Sequence, residues 1–83
     1  MADAPGGIAR VECYSGSKAL ETPRAFVLGG ERREITRILD RARVANLDGR
    51  ICERYRVVAD GRIWILVRDP DKDLWTAKTE KSR

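Results

Sequence analysis

The stretch Arg54-Tyr55-Arg56-Val57-Val58-Ala59-Asp60-Gly61-Arg62-Ile63-Trp64-Ile65-Leu66-Val67-Arg68 decides the fold. Two runs rich in β-branched and aromatic residues flank an Asp-Gly pair, a strong short-range signal for a β-hairpin. Asp-Gly tolerates the positive φ angles of a type I′ turn, whose twist matches the strands on either side. With Asp60 and Gly61 as the loop, Ala59 faces Arg62, Val57 faces Trp64 and Tyr55 faces Leu66, all on one side of the sheet. The other side carries Val58 with Ile63, Arg56 with Ile65 and Arg54 with Val67. The first side reads as an aromatic core. The second, half apolar and half cationic, calls for partial cover by another strand or by a partner surface. A slip of one residue exchanges the two.

Working outward, Leu74 to Ala77 reads as a short last strand anchored by Trp75, reached through the turn Asp69-Pro70-Asp71-Lys72-Asp73. On the other side, Ile8 to Tyr14 alternates imperfectly as a first strand, and Ser15 to Pro23 is a polar loop. Arg24 to Leu28 is a second strand with Phe26 and Leu28 on one face, ended by Gly29-Gly30. Residues 31–45 are ambiguous. Ile35, Ile38, Leu39 and Ala42 fall at i, i+3, i+4 and i+7, an amphipathic helix spacing. The strand reading instead takes Arg33 to Arg41 as the return arm of a Gly-Gly hairpin, with Ile35 and Leu39 on one face and a bulge near Ile38. Asn46, Asp48 and Gly49 close the segment in either case. Residues 1–7 read as a disordered leader, 8–77 as a single domain, and 78–83 as a basic frayed tail.

Eighty-three residues suffice for one small domain that buries about 60 to 65% of its unfolded surface, with little room for an enclosed active site. No apolar run approaches the ~20 residues of a membrane span, and the first eight residues lack a signal-peptide pattern. The expected location is the cytoplasm, with no membrane partner. Cys13 and Cys52 have no metal-type spacing and there is no histidine, so no metal site and no cofactor are expected and both cysteines read as thiols.

Without histidine the usual general base is missing. The remaining acids, Glu34, Asp40, Glu53 and Asp60, show no dyad spacing. Asp60 is explained by its turn, and Asp40 beside Arg41 fits a structural pair at a strand end. The expectation is a protein that is not an enzyme, with no evident small-molecule substrate. Thirteen of the seventeen basic residues are arginine, whose planar fork suits phosphate and carboxylate. Tyr55 and Trp64 share the apolar face, so they read as core rather than as a stacking platform. Contact with nucleic acid would then rest on Arg32, Arg33, Arg37, Arg41, Arg54 and Arg56 and would be electrostatic. A protein partner would instead use Val58, Ile63, Ile65 and Val67 as an exposed stripe.

Val11-Glu12-Cys13-Tyr14-Ser15-Gly16, Pro23-Arg24-Ala25-Phe26-Val27-Leu28-Gly29-Gly30, Ile38-Leu39-Asp40-Arg41, Tyr55-Arg56-Val57, Ile63-Trp64-Ile65-Leu66 and Trp75 occur in this order. The series resembles a family of small bacterial proteins of unknown function. More distantly, it is similar to domains of unknown function associated with error-prone polymerase-like DNA repair proteins. The resemblance implies a strand for the Leu-Asp-Arg segment. It departs at Ala42, where an aromatic residue is common, which removes any surface built on that ring. The expected fold is mostly β, a small antiparallel curled sheet or SH3-like barrel of about five strands. An α+β fold with a helix at 31–45 is the alternative. The expected function is a non-catalytic binding module associated with nucleic acid through an arginine-rich face; the alternative is a protein-interaction or regulatory module of the bacterial cytosol.

Overall fold

A computed structural model describes residues 6–13, 22–45, 47–69, 71–72 and 74–80. Among these residues six antiparallel strands form a closed barrel in simple meander order: β1 (Gly6–Cys13), β2 (Pro23–Leu28), β3 (Glu31–Ala45), β4 (Ile51–Ala59), β5 (Arg62–Asp69) and β6 (Leu74–Thr79). Closure comes from β1 pairing with β6, Gly6 opposite Lys78 and Ala9 opposite Trp75. The small β-barrel is as expected. Six strands are present among the described residues where about five were expected, and residues 31–45 form a strand rather than the alternative helix.

The β4–β5 hairpin has the expected register, with Val57 opposite Trp64 and Tyr55 opposite Leu66. Asp60 and Gly61 adopt φ of 55° and 71°, the positive pair that a type I′ turn demands. Its inward side supplies Tyr55, Val57, Ala59, Trp64 and Leu66 to the core, which Ala9, Phe26, Leu28 and Ala77 complete. Trp64 is fully buried, its ring edge-on to Phe26 at 5.1 Å between centroids, and its indole N–H donates to the Ala59 carbonyl at 3.1 Å. Val58, Ile63, Ile65 and Val67 face outward and are half-buried by their sheet neighbours. Trp75 packs on the core only from its rim, and the deeper anchor of β6 is Ala77.

The helical spacing in residues 35–42 has a physical origin in β3. Register shifts between Ile35 and Arg37 and between Ile38 and Asp40 each place an extra residue in the strand. Ile35, Ile38 and Arg41 therefore stand opposite Ala59, Val57 and Tyr55, which are successive inward positions of β4. Steps of three on β3 match steps of two on β4, so a bulged strand reproduces the i, i+3 pattern of a helix. The Thr36 hydroxyl, at the first bulge, donates to the Val58 carbonyl at 3.2 Å.

Element ends also differ from the sequence reading. Gly6 and Gly7, read as leader, begin β1. A Cβ at residue 6 would lie 3.2 Å from the Lys78 Cβ, so the glycine permits close approach at the seam. Lys78 and Thr79, read as tail, extend β6, and the Glu80 N–H donates to the Ile63 carbonyl at 2.9 Å. Pro23, read as loop, is a buried first residue of β2. The readings of residues 1–5, 14–21, 46, 70, 73 and 81–83 lie outside the described residues. Among the described residues no helix is long and apolar enough to cross a membrane.

A candidate binding ribbon

Beyond the barrel's middle, β3 and β4 continue as a paired ribbon from Ile35–Ala59 to Ala45–Ile51. On its other side β3 pairs with β2 only from Glu31 to Glu34. Residues 35–59 hold six arginines and three acids, three of the chain's four net positive charges. Alternation divides those arginines between two faces. Arg41, opposite Tyr55, faces the barrel mouth with its guanidinium carbon 5.6 Å from the ring centroid, and Tyr55 in turn meets Trp75 at 5.8 Å. Arg43, opposite Glu53, shares that side. Arg37 opposite Val58, Arg54 opposite Ala42, and Arg56 opposite Asp40 lie on the outer side.

The six arginines singled out from sequence thus separate. Arg37, Arg54 and Arg56 come together on the outer face of the ribbon. Arg56 is tied to Glu80, with Nη2–Oε1 2.9 Å and Nε–Oε1 3.1 Å. Arg32 lies elsewhere on the outer surface, where its Nε and Nη2 donate to Glu12 at 3.0 Å and its Nη1 donates to Glu34 at 3.2 Å. The Arg32 guanidinium holds the Glu12 carboxyl below its ordinary pKa, and the carboxylates hold Arg32 protonated. Arg33 turns into the opposite mouth of the barrel. It donates to Glu31 at 2.7 Å and to Asp60, and its guanidinium lies over Trp64. Arg37, Arg41, Arg43 and Arg54 have no carboxylate within ion-pair distance among the described residues.

The acids weighed as catalytic candidates have structural partners. Glu34 pairs with Arg32, Asp60 with Arg33, and Glu53 lies 3.9 Å from Arg68. Asp40 accepts a 2.8 Å hydrogen bond from the Arg41 backbone N–H rather than meeting its guanidinium. Among the described residues no group of three or more metal-ligating side chains forms. Burial, and after it the charge of Glu53, raises the pKa of Tyr55.

Sequence reasoning missed the ribbon's aliphatic exposure. Ile38, Leu39, Val44, Leu47 and Ile51 are exposed, Leu47 completely and Ile51 by 54%. Outside the ribbon only Ile8 joins them among the described large hydrophobic residues. The available signal was the placing of Leu47 and Ile51 on the shoulders of Asp48-Gly49, where turn chemistry leaves an apolar side chain no core to enter. A shallow groove of about 700 Å³ lies on the opposite part of the barrel, lined by Ile65, Val67, Thr76 and Lys78 among others.

No protein-family model, curated protein or solved structure matches this chain.

Proposed function

We propose that this protein is a non-catalytic binding module whose contact surface is the β3–β4 ribbon and whose partner is a protein segment carrying acidic and aliphatic side chains. The observation that supports this reading is coincidence on one element. Five exposed aliphatic residues share the ribbon with four arginines that lack carboxylate partners among the described residues. Exposed apolar surface favours a partner that removes it from water, and guanidinium groups favour a carboxylate-bearing one. A cytosolic setting goes with this reading, since two cysteines without a metal-type spacing suit a reducing compartment.

A second reading, contact with the phosphate backbone of nucleic acid, is favoured by Arg37 and Arg54 on the outer face. The buried Tyr55 and Trp64 offer no stacking surface, so such contact is electrostatic. The two readings separate in one titration, in which acidic-aliphatic peptides and short single- and double-stranded nucleic acids are added at about 50 and 200 mM salt. Peptide binding that keeps most of its strength at the higher salt supports the protein-partner reading. Binding of nucleic acid alone, lost by about tenfold or more over that range, replaces it with the second.

A further inference from the structure

We infer that the partner segment binds as an added β-strand along the outer edge of β3, over Asp40–Ala45. This rests on the protein-partner reading and specifies its mode. Past Glu34, β3 has no ladder partner on the β2 side among the described residues. From Thr36 to Ala45 every residue except Ala42 is exposed. The two bulges lie at the start of this stretch. After them the register against β4 runs without interruption from Asp40–Arg56 to Ala45–Ile51. Alternate residues of a regular edge send both N–H and C=O outward, which is a template for one more strand.

Charge selects the occupant. Residues 36–45 carry three arginines and one aspartate. A second copy of β3 would bring like charges together across the ladder, which disfavours self-pairing. The same arginines accept an acidic strand, so one set of side chains repels the wrong occupant and attracts the right one. Arg41 and Arg43 project to one side of the edge, Ala42 and Val44 to the other. The complementary ligand is therefore an extended segment that alternates Asp or Glu with Val, Ile or Leu, its acids beside the arginines and its aliphatic residues beside Ala42 and Val44.

The test uses the whole chain, labelled for amide NMR, and a capped six-residue peptide alternating Glu and Val. Two further versions carry backbone N-methyl groups, one on the Glu and one on the Val positions. The expected result is that the parent peptide shifts and slows exchange of amides in residues 40–45. One N-methylated version should bind at least tenfold more weakly and the other nearly as well, since only alternate N–H groups face the edge. Arg41→Glu with Arg43→Glu should transfer the preference to a Lys-Val peptide. If both methylated versions bind as well as the parent, strand addition is overturned while the acidic-partner reading stands. If no peptide moves these amides, or only single-stranded DNA does, the reading beneath it falls as well.

Discussion

The guanidinium carbon of Arg33 lies 4.9 Å from the centroid of the Trp64 ring, so a cation closes one mouth of the barrel over its largest fully buried side chain. Glu31, the first residue of β3, and Asp60, in the β4–β5 turn, hold the guanidinium in place. Arg33→Ala should cost about 1 to 3 kcal/mol, combining the cation–π contact with lost packing of the arginine stem. Arg33→Lys should recover only part of this, because a point charge does not reproduce a fork bridging two carboxylates. Urea midpoints in a Trp75→Phe background report both the stability and the emission of Trp64. Wild-type midpoint and emission in Arg33→Ala would refute the closing role.

Trp64 itself should be the most costly single truncation in the core. Trp64→Ala is expected to destabilise by about 3 to 5 kcal/mol. Trp64→Phe should cost less, yet more than the lost area alone, because the Ala59 carbonyl loses its indole donor. Equilibrium denaturation of both variants checks the order, and a Trp64→Ala protein as stable as wild type would place the ring outside the core.

Asp60 has two separable duties, positive φ in the turn and a carboxylate for Arg33. Asp60→Asn keeps a residue that tolerates the left-handed conformation and removes the charge. Asp60→Ala removes both advantages and should be the less stable variant. Gly61→Ala should cost about 1 to 2 kcal/mol through the backbone alone. Equal midpoints for the Asn and Ala variants would show that the turn conformation contributes nothing measurable.

Arginines with and without carboxylate partners should respond differently to a polyanion. With single-stranded DNA as the probe, Arg37→Ala with Arg54→Ala should lower the slope of log K against log salt by about 0.7 for each contact removed. Arg32→Ala should change it little, since Glu12 and Glu34 already occupy that fork. A larger effect from Arg32 would put the polyanion near the β1–β2 surface instead.

Tyr55 links stability to alkaline pH. Its folded-state pKa is raised, chiefly by burial, so the fold favours the neutral phenol. An unfolded tyrosine ionises near about pH 10. The contribution is therefore full below that pH and is lost as pH rises through the folded value. Tyr55→Phe should lose less stability than wild type between about pH 9 and 12, read as urea midpoints across that range. Parallel curves for the two proteins would mean that the phenol is not held in an apolar site.

The hairpin around Asp60-Gly61 was legible in full because turn chemistry, alternation and register all agree there. Strand β3 was ambiguous for a specific reason: its bulges gave strand residues a helix's spacing, and resemblance, rather than periodicity, pointed to strand. Gly6 and Gly7 look like leader in sequence because a missing side chain signals a loop, and their pairing with β6 depends on residues some seventy positions away. The arginines were visible as a set, but their division was not. Which of them meets Glu12, Glu80 or Asp60 depends on the barrel bringing distant strands together, and alternation interrupted by two bulges sends Arg37 and Arg41 to opposite faces.

Among the described residues, five of the six ladders join strands consecutive in sequence and can form as local hairpins, and only the β1–β6 ladder must bring together residues about seventy positions apart. Loop-closure entropy makes that seam the slowest contact to acquire, so it governs the folding rate more than the hairpins do. Until it closes, β1 and β6 are open edges of a meander. The glycines at the start of β1 therefore stand where a delay in folding exposes strand edges to other chains.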